Sequence, residues 1–146
     1  MITFTIPNEL RDTAWGNQKM FYNLMFECSK MTLQTFARND KSLGGATGLM
    51  SVLHTHARNL DYHPHIHIIM PAATLNNKTK SWKTKSGKYL FNHKALAKVF
   101  RGKLLENMAQ TQLKAPIISH QWIVDCKYIE KEIKPLSILA STFIEG

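Results

Sequence analysis

Residues 63–70 read HPHIHIIM, and this stretch constrains the chain more than any other. Successive side chains of a strand point to opposite faces. An extended backbone therefore lines up His63, His65 and His67 on one side and Ile66 and Ile68 on the other. Pro64 biases His63 to an extended conformation and puts it at the strand entrance. A row of imidazoles on a strand is either a metal site or a set of surface histidines, and the segment alone leaves both open.

The flanking sequence supplies the partners of such a strand. "ITFTIP" (2–7) alternates β-branched and aromatic residues and stops at Pro7, predicting a short strand. From Asn17 to Asn39, the apolar residues Met20, Phe21, Leu24, Met25, Cys28, Met31 and Phe36 recur at steps of three and four, as on one face of a helix. "KSLGGATG" (41–48) breaks the pattern at Gly44 and Gly45. "LMSVLHTH" (49–56) and "HIHIIMP" (65–71) read as strands. The basic stretch between Pro71 and Phe91 predicts a lysine-rich hairpin turning at Ser86-Gly87. A second helix is expected from an Asn92 cap to Leu113, with the stripe Leu96, Val99, Phe100, Leu104 and Met108. "ISHQWIVDCKYI" (118–129) closes the chain's strands. The order strand, helix, two strands, helix, strand fits an α+β fold. It is that of a ferredoxin-like, split-βαβ antiparallel sheet with helices on one face.

Charge narrows the class of partner. Nineteen Lys+Arg against ten Asp+Glu give a formal charge of +9 on 146 residues, enough chain for one domain. That excess favours a polyanion, nucleic acid ahead of an anionic membrane surface. No apolar run reaches the length of a membrane span, so no membrane insertion is expected. Cys28 and Cys126 lie far apart with no CxxC pair, and no signal peptide precedes them. A reducing, cytoplasmic location is the expectation.

Five of the seven histidines fall between positions 54 and 67. If the two strands pair, His54 converges with His65 and His67, and three imidazoles leave open positions on an ion. Cupins and metallo-hydrolases need a Glu or Asp near the second His of such a motif. This chain continues instead with Ile68, Ile69, Met70 and Pro71. A divalent metal on a basic domain points to phosphodiester chemistry. Imidazole donors favour Mn²⁺ or Zn²⁺ over Mg²⁺ by affinity, although availability can reverse that order. In the hairpin region, Lys78, Lys80, Lys83, Lys85 and Lys88 interleave with Trp82 and Tyr89. That mixture suits single-stranded DNA, and Arg101 on the second helix extends the basic surface. A solvated loop with two packing aromatics is the bland alternative.

The block "VLHTHARNLDYHPHIHIIMP" resembles the metal-binding core of rolling-circle insertion-sequence transposases, HUH (His-hydrophobic-His) endonucleases of the two-tyrosine type. "FTIPNELR", "NQKMFYNLMF", "ALAKVFRGKLL" and "QWIVDCK" look like further blocks of that family in the same order. The resemblance implies His65 and His67 as metal ligands on a central strand and His54 as the third. It also implies a divalent ion, Mn²⁺ or Mg²⁺, and single-stranded insertion-sequence ends as the DNA. His56 stands where the family usually has Trp, so it is either a neutral substitution or a rival ligand. Family members nick one strand through a phosphotyrosine link and transfer it.

Two departures shape the expectation. The family's zinc-binding domain usually precedes "FTIP", where this chain has Met1. Ile138 and Thr142 stand where the family's tyrosines should be. With suitable codons, "SILASTFIEG" reads "YLSLYLYRG" one frame over, so a frameshift between about Lys127 and Ser137 would explain the replacement. The expected protein is one catalytic domain over 1–146 without the zinc domain and without the nucleophile helix. It would bind metal and DNA but not complete cleavage by the tyrosine route. The alternative is a non-catalytic single-stranded DNA-binding remnant, or a regulator of an intact transposase.

Overall fold

Alternation in the first strand sets up the sheet. Along β1 (Ile2–Thr5), Ile2 and Phe4 are buried while Thr3 and Thr5 face outward. β1 is the hub of a four-stranded antiparallel sheet, described here from a computed structural model of residues 1–87, 90–119 and 121–129. On one side it pairs with β3 (Tyr62–Ile69), aligning Ile2 with Ile68, Thr3 with His67, Phe4 with Ile66 and Thr5 with His65. On the other it pairs with the short β6 (Val124–Cys126). β2 (Met50–His56) completes the order β2-β3-β1-β6. β1 and β2 are therefore parallel to each other with β3 between them, the split βαβ arrangement of a ferredoxin-like sheet.

The helices cover the apolar face. α1 (Arg11–Gly16) is a short segment that follows a single turn at Asn8–Leu10. α2 (Gln18–Asn39) and α3 (His93–Ala109) pack on each other, on β3 and on β6. Phe4 meets Phe100 of α3 with ring centroids 4.8 Å apart, beside Ile66, Ile68 and Val124. Burying each such side chain stabilises the fold by about 1.5–3 kcal/mol. α2 buries Phe21, Met25, Cys28, Thr32 and Leu33, whereas Met20 and Met31 are 44% and 39% exposed. The core-facing stripe is thus rotated from the expected one: Ser29, Thr32 and Ala37 take inward positions that a hydrophobic count does not mark.

The ends of the elements have local causes. Asp40 receives the backbone N–H groups of Ser42 (2.8 Å) and Leu43 (3.2 Å) just past α2, and Gly44 adopts φ +56°. Asp40 also binds the Lys85 ammonium at 2.6 Å, which holds its carboxyl below the usual range. Gly45 passes so close to β4 (Ala73–Asn76) that a Cβ there would stand 3.0 Å from the Leu75 carbonyl oxygen. At the start of α3, the Asn92 side chain accepts from the Ala95 N–H at 3.0 Å, the expected cap. α3 stops at Ala109, short of Leu113. Thr111 donates both its amide and its hydroxyl to the Met108 carbonyl and turns the chain.

The basic hairpin exists, with its turn elsewhere. β4 pairs with β5 (Ser81–Thr84) through residues 77–80, not through Ser86-Gly87. Asn76 decides this, because its side-chain oxygen accepts from Lys78 N (2.9 Å) and Thr79 N (3.3 Å) and starts the turn earlier. Gly87, at φ +98°, serves the path away from the hairpin. The last strand is also shorter than 118–129, with ladder pairing only over Val124–Cys126. No helix among the described residues is long and apolar enough to cross a membrane.

Candidate metal centre

The sheet face away from the helices carries the histidines. Ile66 and Ile68 are fully buried, so strand alternation turns His63, His65 and His67 to the opposite side. His54 lies directly across from His65 in the β2–β3 ladder and therefore shares that face. One nitrogen from each of His54, His65 and His67 lies within 4.8 Å of the others. The ring centroids stand 5.3, 4.5 and 4.9 Å apart for the pairs 54–65, 54–67 and 65–67. Two donors on one ion sit no more than about 4.2 Å apart, twice a metal–nitrogen bond. Small side-chain rotations bring the three nitrogens to that spacing. The trio fits a divalent cation that prefers nitrogen donors and leaves further positions open.

Hydrogen bonds engage Nδ1 of two of the three rings. His65 Nδ1 lies 2.6 Å from the His63 carbonyl oxygen. A carbonyl only accepts, so His65 carries its proton on Nδ1 and presents Nε2 as a lone pair. His67 Nδ1 lies 3.0 Å from the Thr3 hydroxyl on β1, which can accept from it, and a ring that donates there has Nε2 for a ligand. Burial, with the neighbouring His54 and His65 adding to it, pushes His67 down to about 4. His54 is lowered as well, first by burial and then by His65. Both rings are therefore neutral at pH 7, the form that binds a metal.

The other histidines stand outside the trio. His63 is the second residue of β3, at the strand entrance as its place before Pro64 predicts, and its Nδ1 receives the Arg11 guanidinium. Its pKa is lowered by burial, then by Arg11 and His65. That nitrogen is not open to a metal. His56 follows an irregularity in the β2–β3 register, bonds to Thr55 Oγ1 at 2.9 Å and packs on Tyr62. On the same face Asp125 lies across from Thr3 and pairs with Lys127 at 3.1 Å.

The aromatic surroundings include two tyrosines that hold each other. The Tyr22 and Tyr62 hydroxyls are 2.7 Å apart. Burial and that bond raise the Tyr62 pKa well above the ordinary phenol value. Tyr62 also meets Trp15 of α1 edge-on, with centroids 5.0 Å apart, while 59% of Trp15 stays exposed. Sequence reading missed Thr3, Arg11 and Trp15. Thr3 shares its strand parity with the histidine face, a signal that becomes usable only once β1–β3 pairing is known. Arg11 and Trp15 sit one turn apart on a helix too short to show periodicity.

The basic candidates separate into three groups. Lys78, Lys80 and Lys83 are exposed on the hairpin with Trp82, itself 67% exposed. Lys85 turns inward to Asp40, donates to the Leu90 carbonyl at 2.7 Å and lies over the Phe91 ring. Arg101 is exposed on α3, away from the hairpin in sequence. Lys88, Tyr89, Ile138 and Thr142 lie outside the described residues.

Comparison with known proteins agrees with this geometry. Residues 48–140 match a family model described as "Putative transposase". That segment includes His54, His65 and His67. Over 107 residues, or 73% of this chain, the sequence is 30% identical to "Putative transposase y4qJ" of Sinorhizobium fredii (strain NBRC 101917 / NGR234). The matched region makes up 27% of that relative, so the chain spans about a quarter of its length. The chain belongs to this family of transposases.

Proposed function

We propose that this chain is the metal- and DNA-holding HUH module of a rolling-circle transposase, acting on single-stranded insertion-sequence ends. The observation that carries the reading is the convergence of His54, His65 and His67 on one sheet face, with His65 Nδ1 already committed to a carbonyl. A divalent ion held there supplies Lewis-acid polarisation of a phosphodiester. Thr3 and the His63 carbonyl orient two of the three rings. Arg11 keeps a cation beside the site. Lys78, Lys80 and Lys83 track a backbone, and Trp82 offers a ring for an unpaired base.

Tyr22 and Tyr62 are spent on each other, and deprotonating Tyr62 is unfavourable. Neither is poised to attack. The described residues therefore support binding of metal and DNA in which neither of these tyrosines serves as nucleophile; Tyr128, 47% exposed, lies past the end of β6, at the far edge of the sheet from β2. This favours a partial or regulatory form of the activity, in the cytoplasm, over complete strand transfer by this chain alone. The test is incubation of the protein with single-stranded DNA and Mn²⁺, followed by gel analysis and intact mass. Retention of DNA with no covalent adduct is expected. A tyrosyl–DNA adduct overturns the inactive reading and identifies the nucleophile by its mapped site.

A further inference from the structure

A second basic feature lies on the opposite side of the sheet from the histidines. Lys94, Lys98 and Arg101 follow the i, i+4, i+7 spacing of one helix face and line a groove of about 390 Å³ between α3 and the edge strand β6. Gln121, Trp122 and Ile123 form its other wall. Val124 aligns with Phe4, and Trp122 packs edge-on against Phe100 at 5.8 Å, so this wall belongs to the apolar, helix-covered side. All three cations are exposed, and none forms an ion pair among the described residues. Trp122 is 6% exposed, and its indole N–H has no acceptor among the described residues.

We infer that this groove binds the phosphate backbone of duplex DNA, separately from the metal centre and the lysine hairpin. Its chemistry differs from the hairpin's. The groove has three cations and no exposed indole, phenol or phenyl ring, since Trp122 is buried and the exposed ring in its lining is the small imidazole of His93, so it offers contacts to phosphate and no broad platform for unpaired bases. From Lys94 to Arg101 the helix rises about 10 Å. At about 3.4 Å per step along one strand, that covers roughly three nucleotides. The hairpin, with Trp82 standing out among lysines, suits the single strand. The two surfaces would hold the paired and unpaired parts of one substrate. The inference rests on DNA as the partner, and not on metal chemistry.

The test uses the full chain in EDTA with two probes, a 20-base-pair duplex and an oligo-dT single strand, each titrated across a salt series. The Lys94→Gln/Lys98→Gln/Arg101→Gln variant changes only exposed side chains, and an unchanged unfolding midpoint would show that it still folds. Its duplex affinity should fall about tenfold or more at 0.1 M salt. The slope of log K against log salt should shrink by about two to three, near 0.9 for each lost phosphate contact. Its single-strand affinity should stay within about threefold. A Lys78→Gln/Lys80→Gln/Lys83→Gln variant should show the reverse preference. Unchanged duplex binding in the groove variant, equal loss on both probes, or no duplex binding by the unmodified protein at low salt each overturns the inference. Because EDTA removes any ion, failure of the metal reading leaves these readouts intact.

Discussion

Arg11 donates its guanidinium to Nδ1 of His63, tying the first helix to the strand that carries His65 and His67, two of the three candidate metal ligands. This bond explains why three histidines in a row yield only two candidate ligands from that row. A nitrogen that accepts from a permanent cation has no lone pair left for a metal. Removing the cation should also be visible in the ring's titration. Arg11→Gln should raise the pKa of His63 as followed by its NMR ring signals, though not to the free value of about 6.5, because burial remains. An unmoved titration would show that Arg11 does not act on His63 in solution.

Thr3 and His67 offer a graded test of the centre. His67→Ala removes a donor and should abolish tight Mn²⁺ or Zn²⁺ binding in calorimetry. Thr3→Val keeps the shape and removes the hydroxyl that orients the ring, so affinity should fall by about 10- to 100-fold. If both variants bind as well as the parent, the trio is not where the metal sits.

The metal-free protein should lose stability with acid in a defined window. His67 titrates near 6.5 when unfolded and at about 4 when folded. Between those values the unfolded chain binds more protons, so stability is full above pH 6.5 and declines as pH falls toward about 4. The lowered His54 acts in the same direction. Urea unfolding at pH 7, 5.5 and 4.5 measures it, and His67→Gln should flatten the profile. Metal binding should weaken over the same range, because protons compete for the same lone pairs.

Trp82→Ala isolates the stacking contribution of the hairpin. The ring is 67% exposed, so its loss should leave the unfolding midpoint nearly unchanged. Single-stranded DNA affinity should drop by about 1–3 kcal/mol, as for a base–aromatic contact elsewhere. Fluorescence anisotropy with a labelled oligonucleotide reads the change. Equal affinities would reduce Trp82 to a surface residue.

Asp40→Ala removes two backbone hydrogen bonds and the ion pair to Lys85 together. The turn after α2 loses its side-chain acceptor, and a half-buried ammonium loses its partner. A destabilisation of about 1–3 kcal/mol is expected from denaturant unfolding. The effect should be larger than for Asp125→Ala, whose pair with Lys127 is exposed to solvent.

The order of strands and helices along the chain was legible from the change of period between segments, and the face of His65 and His67 because period-two alternation is strict and the isoleucines beside them are unambiguous. His54 was legible as a partner once both strands were assumed to pair. What escaped was set by single side chains acting on the backbone. Asn76 moved the hairpin turn, and Thr111 ended α3 early. Thr3 and Arg11 escaped for another reason, since their roles exist only across strands and helices that the sequence holds 64 and 52 residues apart. The stripe of α2 was misaligned because Thr32 satisfies its hydroxyl on the Cys28 carbonyl at 2.7 Å and can be buried without being apolar.

His54 and His65 are direct partners in the β2–β3 ladder. A slip of one residue in that ladder turns His54 toward the helices and leaves two imidazoles where three are needed. On the proposed metal reading, ion uptake would read out strand alignment: only a chain that has zipped these two strands correctly presents all three candidate donors. The ion would act as a proofreader of the fold, retaining correctly aligned chains and giving misaligned ones no such advantage.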